Sequence, residues 1–204
     1  MSDRGQETEA KFYVLHLEEI TARLKELQAR LIQPHVLETN LRFDLPDNSF
    51  RSSGRVLRLR RDTESKFTYK GASQNKSGVL DRQEIEFAVG DFEKARKFLE
   101  ALGFRQTMFY EKYRATYEFD NVSIMLDELP YGKFVEIEGE DVKQIQAVAA
   151  KLHLDWNTAI ETSYTGLFEN VKKALELPFQ DISFRNFEGI KVASEHLHVQ
   201  PADG

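Results

Sequence analysis

Charged residues stand two apart along much of this chain, and their signs are sorted. Arg58 with Arg60 and Lys112 with Arg114 are paired cations; Glu84 with Glu86 and Glu136 with Glu138 are paired carboxylates. Near the start, Glu7, Glu9 and Lys11 keep the same spacing. A period of two places such residues on one face of an extended strand. Basic strands suit phosphate oxygens, since one guanidinium can hold two of them. Clustered carboxylates suit a hard divalent cation such as Mg²⁺.

The elements that carry these residues follow from hydrophobic periodicity. Eight segments read as strands, near 7–14, 36–44, 55–61, 66–70, 81–89, 110–119, 121–128 and 133–138. Leu17, Ile20, Leu24, Leu27 and Leu31 form an apolar stripe that predicts a helix over 17–32. Phe92, Ala95, Phe98, Leu99 and Leu102 form another, ending at Gly103, and Val142, Ile145, Val148 and Leu152 a third. A short helix is predicted over 165–175, closed by Pro178. The polar run 71–78 reads as a hairpin loop between strands, and Asp120-Asn121 as a tight turn. That loop lacks the Gly-Lys-Ser/Thr order and leads into a strand, so it is not a nucleotide-binding P-loop. The chain divides into one domain over 1–178 and a C-terminal tail over 179–204, partly packed at first and loose over 194–204.

Alternation ordinarily means a sheet with its apolar face on a core and its polar face in water. Here the helices also carry one apolar face each, which must cover something. If they cover the apolar strand faces, the charged faces are left on the other side of the sheet. Eight strands are enough to close around a small interior. The predicted fold is therefore α+β: an eight-stranded antiparallel closed β-barrel, a tunnel with a charged interior and helices packed on the outside. By parity its interior carries Lys11, Arg58, Arg60, Lys70, Lys112 and Arg114, and Glu7, Glu9, Glu84, Glu86, Asp127, Glu136 and Glu138. Six bases and seven acids leave a local charge of −1, so such a lumen must be wet or ion-filled, because unpaired buried ions cost several kcal/mol each.

Composition removes other classes of function. The 204 residues carry 28 Lys and Arg against 34 Asp and Glu, a net charge of −6, which argues against a general nucleic-acid binder. No apolar run approaches the roughly 18–20 residues of a membrane span. The first seven residues lack the apolar core of a signal peptide, and zero cysteines remove disulfides and thiolate chemistry. A cytoplasmic location is expected, and the oligomeric state, a homodimer included, is open.

The ordered motifs resemble a known family. Glu7-Thr8-Glu9-Ala10-Lys11 is an ExExK signature; Val56-Leu57-Arg58-Leu59-Arg60, Thr68-Tyr69-Lys70-Gly71, Arg82-Gln83-Glu84-Ile85-Glu86, Lys112-Tyr113-Arg114, the run Leu126 to Glu138 and Ser163-Tyr164 follow in order. Over about 5–175 the chain resembles the CYTH domain, the triphosphate tunnel metalloenzymes. One departure is Asn40, where an acidic residue is common, and the contributions of Glu38 and Arg42 stay open.

The resemblance implies a tunnel and a divalent-metal-dependent reaction on a small triphosphate-containing molecule. The family includes inorganic tripolyphosphatases, thiamine triphosphatases and class IV adenylyl cyclases. It implies Mg²⁺ or Mn²⁺ held by Glu7, Glu9, Asp127, Glu136 and Glu138. Lys11, Arg58, Arg60, Lys70, Lys112 and Arg114 would grip the phosphates, with Lys11 also catalytic. Glu84 or Glu86 would position an attacking water. Phosphoanhydride hydrolysis is favoured over cyclisation of ATP, and both over a non-catalytic polyphosphate-binding module. Phe50, Arg51 and Ser52 are candidates to touch an organic group at the tunnel mouth. His196 and His198 read as incidental, and Trp156 as packing.

Overall fold

The computed structural model describes residues 6–72, 74–76 and 79–204, with side chains over 8–72 and 83–204. The fold is α+β. Its strands are β1 (Gln6–Val14), β2 (Arg30–Asp44), β3 (Val56–Arg61), β4 (Ser65–Lys70), β5 (Gln74–Lys76), β6 (Val79–Val89), β7 (Arg105–Phe119), β8 (Val122–Leu129) and β9 (Gly132–Gly139). They form one antiparallel sheet in the order β1-β9-β8-β7-β2-β3-β4-β6-β5. Strand β1 pairs with β9 from Thr8↔Gly139 to Val14↔Lys133, and with β6 from Gln6↔Gln83 to Glu9↔Leu80. All eight predicted strands are present. Strand β4 pairs with β6 as the expected hairpin requires, but within the run read as a loop, 71–78, residues 74–76 form a further short strand, β5, paired with Val79–Asp81 of β6.

Among the described residues six α-helices accompany the sheet: α1 (Leu17–Glu26), α2 (Ser49–Ser52), α3 (Phe92–Ala101), α4 (Val142–Lys151), α5 (Tyr164–Ala174) and α6 (Ser194–Leu197). Asp91, Asp141 and Ser163 cap α3, α4 and α5, their side-chain oxygens accepting from the N–H of Lys94, Gln144 and Gly166. Gly103 follows α3 at φ +90°, the left-handed turn anticipated for it. The helix predicted over 17–32 is corrected to 17–26. Gln28 takes φ +57°, and the chain turns into β2, where Leu31 is exposed rather than part of a buried stripe.

The apolar faces meet outside the sheet. Leu17, Ile20 and Leu24 of α1 and Ile145, Val148 and Ala149 of α4 pack on Ala10, Phe12, Ile124, Leu126, Val135 and Ile137. Helix α3 covers Leu41, Leu59 and Phe67. Helix α5 and the C-terminal segment enclose Tyr13, Tyr110, Tyr131 and Phe134. Parity then leaves the charged strand residues on the inner face. No helix among the described residues is long and apolar enough to cross a membrane.

The loose tail expected over 194–204 is also corrected, because that segment is packed. Ile182 bridges to Tyr110, and Pro201 to Tyr13. Ile182, Leu197 and Ala202 are almost wholly buried. The Asp203 carboxylate accepts the backbone N–H groups of Leu15 and His16 at 2.8–3.0 Å. Carboxylate hydrogen bonds to one backbone turn and scattered apolar anchors hold this segment without any regular period.

Candidate functional site

The inner face encloses a cavity of about 530 Å³. Its lining carries eight cationic side chains: Lys11, Arg42, Arg58, Arg60, Lys66, Lys70, Lys112 and Arg114. Five carboxylates join them: Glu9, Glu84, Glu86, Glu136 and Glu138. Among the described residues the lining is therefore cationic, whereas parity alone gave −1. Arg42 and Lys66 are the charged additions, and Tyr110 and Tyr164 bring phenols to the wall. Lys66 shares the inward parity of Lys70 on β4, so the pattern contained it.

Register fixes these neighbours. Lys11 lies opposite Glu136, and Glu9 opposite Glu138, across β1 and β9; Arg58 lies opposite Arg42, and Arg60 opposite Asn40, across β3 and β2. Lys11 Nζ is 3.4 Å from Glu136 and 4.3 Å from the centre of the Tyr164 ring. Lys70 pairs with Glu84 at 2.9 Å. Arg60 donates to Glu86 at 3.1 Å, and the Thr68 hydroxyl donates to the other Glu86 oxygen at 2.9 Å. Burial disfavours ionisation of Glu86, but Arg60, the Thr68 hydrogen bond, Arg58 and Lys66 overcome it and hold the carboxyl below its usual range.

Two acids stand behind the lining rather than in it. Asp127 has no solvent exposure. Its oxygens accept from Lys112 at 2.9 Å, from the Tyr164 hydroxyl at 2.7 Å and from two nitrogens of Arg114. Those four hydrogen bonds hold Asp127 behind the wall, beneath the cations it supports. Glu38 is 1% exposed and faces Arg60 at 3.5 Å and Lys112 at 3.7 Å. Burial opposes its charge, yet Lys112, Arg114, Arg58 and Arg60 prevail and hold its carboxyl far below the ordinary value. Both acids fix cations from beneath. Neutral Asn40 is fully buried and donates its amide to Glu38 at 2.9 Å.

Several polar atoms of this wall are buried with no hydrogen-bond partner among the described residues: Arg58 Nε, Arg60 Nε and Asn40 Oδ1. Buried polar groups are normally paired, so orphan guanidinium donors beside a cavity mark a place for an acceptor. The N-terminus of α5 adds Ser163, Tyr164 and Thr165 to the lining, and Arg42 donates to the Thr165 hydroxyl at 2.7 Å.

Glu9, Glu136 and Glu138 offer the hard oxygen donors that a divalent cation needs. Among the described residues no three such groups converge tightly enough to hold an ion alone. Glu136 is tied to Lys11 and Arg114. A hard cation such as Mg²⁺ commonly takes one or two protein carboxylates and completes its shell with phosphate oxygens and water. The side chain of Glu7 lies outside the described residues.

A second cavity of about 410 Å³ adjoins the first, and the two share Arg42, Val56, Ser163 and Thr165. Phe43 and Met108 give it an apolar wall, with Asn48, Arg51, Arg55, Glu161 and Glu169 around it. Arg51 belongs to the mouth loop picked out from the sequence; Phe50 instead packs against Tyr69 and Phe104. Trp156 packs on Phe12, and His196 Nδ1 accepts the Ala193 N–H, so both are structural.

A model of the CYTH domain matches residues 5–164. A Methanocaldococcus jannaschii protein provisionally named an adenylate cyclase is 30% identical over 134 residues, 65% of this chain and 75% of that protein. A solved Vibrio parahaemolyticus structure, also provisionally named an adenylate cyclase, is 19% identical with a TM-score of 0.72, covering 81% of this chain and 99% of the other. A Hippeastrum protein described as having a dominant triphosphatase activity is 18% identical with a TM-score of 0.55, covering 95% and 100%.

Proposed function

The chain belongs to the CYTH domain family, and from that premise we propose that it is a divalent-metal-dependent enzyme that hydrolyses a phosphoanhydride bond of a triphosphate. The observation that carries this reading is one cavity with, among the described residues, eight cationic and five carboxylate side chains on its walls. We read the sheet around it as a closed tunnel, supported by the pairing of β1 with both β9 and β6. A triphosphate brings about four to five negative charges. The cationic lining offsets about three, and a single divalent ion offsets most of the rest.

Arg58 and Arg60 on the cavity wall grip phosphate oxygens, aided by Lys11, Lys70, Lys112 and Arg114. Asp127 and Glu38 keep Lys112, Arg114 and Arg60 fixed before substrate arrives, so little reorganisation is needed on binding. Lys11 stands where charge develops during transfer, while Glu84 or Glu86 positions the attacking water. Glu9, Glu136 and Glu138 would hold Mg²⁺ or Mn²⁺ against the phosphates. Such an ion supplies charge neutralisation and polarisation of phosphate oxygens.

The second reading is cyclisation of ATP, favoured by the name of the 30%-identical relative and by the adjoining cavity, which has room for an organic group. Incubation with Mg²⁺ or Mn²⁺ and tripolyphosphate, thiamine triphosphate or ATP separates the two. Orthophosphate release supports the hydrolase, pyrophosphate with cyclic AMP supports the cyclase, and binding without turnover sinks both.

A further inference from the structure

Two tyrosines reach the cavity, and their hydroxyls are in opposite states. Tyr164 has its proton committed, donated to the buried Asp127 at 2.7 Å. Burial and the negative charges of Asp127 and Glu136 push its ionisation up. Tyr110 instead accepts, from Arg58 Nη1 at 3.3 Å, and among the described residues no acceptor takes its own proton. Its ring belongs to the apolar cluster formed with Phe134, Tyr131 and Ile182, and the residue lines the cavity wall. Backbone bonds fix it further: Ile182 N–H donates to Phe109, and Glu111 N–H donates to Ile182, both at 2.9 Å.

We propose that the Tyr110 hydroxyl donates a hydrogen bond directly to a phosphate oxygen of the bound triphosphate, an inference that rests on the triphosphate reading of this cavity. An anion seated among Arg58, Arg60 and Lys112 lies beside a phenolic O–H whose proton no described residue accepts. The groups facing it are Arg58 on β3, Lys112 on β7 and Glu38 on β2, with Tyr131 nearby. Burial raises the phenol's ionisation, but Arg58 and Lys112 outweigh both burial and Glu38, leaving Tyr110 more acidic than usual. A more acidic O–H is a stronger donor, and a bond to a charged acceptor is worth more than a neutral one.

The test is Tyr110→Phe, which keeps the ring and removes only the donor. Calorimetric titration with tripolyphosphate in Mg²⁺ buffer should show affinity about 10-fold weaker, with kcat/KM for its hydrolysis falling at least as far. Wild-type affinity should decline as pH rises through the phenol's ionisation, since a tyrosinate cannot donate and repels phosphate, while the variant stays flat there. Affinity within two-fold of wild type and an unchanged pH profile would overturn the proposal. A protein that binds tripolyphosphate but releases phosphate from no triphosphate removes the hydrolase reading and leaves this comparison intact. A wild type that binds no tripolyphosphate overturns both.

Discussion

At the scale of single residues, the buried carboxylates explain why so many cations can share one wall. Asp127 alone engages Lys112, Arg114 and Tyr164, and the Tyr164 ring faces Lys11 at 4.3 Å and Lys112 at 5.0 Å. Removing one member of a buried ionic set leaves the others uncompensated, at a cost of about 3–5 kcal/mol. Asp127→Asn should show a loss of that order by urea denaturation at pH 7; a change below 1 kcal/mol would mean the set is not coupled. Glu38 gives a pH dependence with a definite sign. Its folded carboxyl ionises at lower pH than in the unfolded chain, so its contribution is full above about pH 4.3 and is lost as pH falls toward the folded value. Urea midpoints should therefore hold from pH 7 to 5 and drop below that, with Glu38→Gln less stable at neutral pH and shallower in its acid decline. Parity in the sequence located every lining residue among Lys11, Arg58, Arg60, Lys70, Lys112 and Arg114. It could not separate depth along that face, so Asp127 was grouped with residues that touch the cavity. Tyr110 was hidden for a different reason: an aromatic in a strand reads as core, and its ring is core.

At the scale of elements, strands were more legible than helix ends. A strand with one polar and one apolar face repeats its signal every two residues, and each of the eight carries it. The stripe Leu17, Ile20, Leu24, Leu27, Leu31 keeps helical spacing across a point where the backbone has already turned, at Gln28. Leu27, the C-cap of α1, still packs on the core, but Leu31 fits the period by coincidence, since β2 begins at Arg30 and shifts register between Leu31 and Val36. Helix α5 is different, because its cap is also part of the cavity. Ser163 Oγ accepts the Gly166 N–H at 3.2 Å and lines both cavities. Ser163→Ala should lower stability by about 1 kcal/mol and weaken triphosphate binding as α5 loosens beside Arg42. Equal binding despite the stability loss would show that the cap serves the helix alone.

For the whole molecule, the net charge of −6 misdirects unless it is divided by place. The cavity is cationic, so the acidic excess lies elsewhere, and a polyanion site coexists with an acidic chain. The C-terminal segment was illegible because irregular backbone has no period. It is tied in by single contacts, such as Ala202 N–H to Tyr13 and Asp155 N–H to Ala202, both at 2.9 Å. Asp203→Ala removes the acceptor at the entry to α1 and should cost about 1–2 kcal/mol, a fall in Tm of about 2–8 °C by calorimetry. An unchanged Tm would show that those bonds contribute nothing net.

The same ties have a kinetic meaning. Leu15 and Asp203 are 188 residues apart in sequence, and β1 must also find β9 and β6 before the strand bearing Glu9 and Lys11 is held on both edges. Such non-local closure slows folding, because loop entropy is spent before the contacts return it. On the ribosome, β1 is therefore made well before the segments that secure it. Until residues 201–203 have cleared the exit tunnel, the nascent chain carries β1 as an unfinished edge, exposed to whatever chaperones attend it.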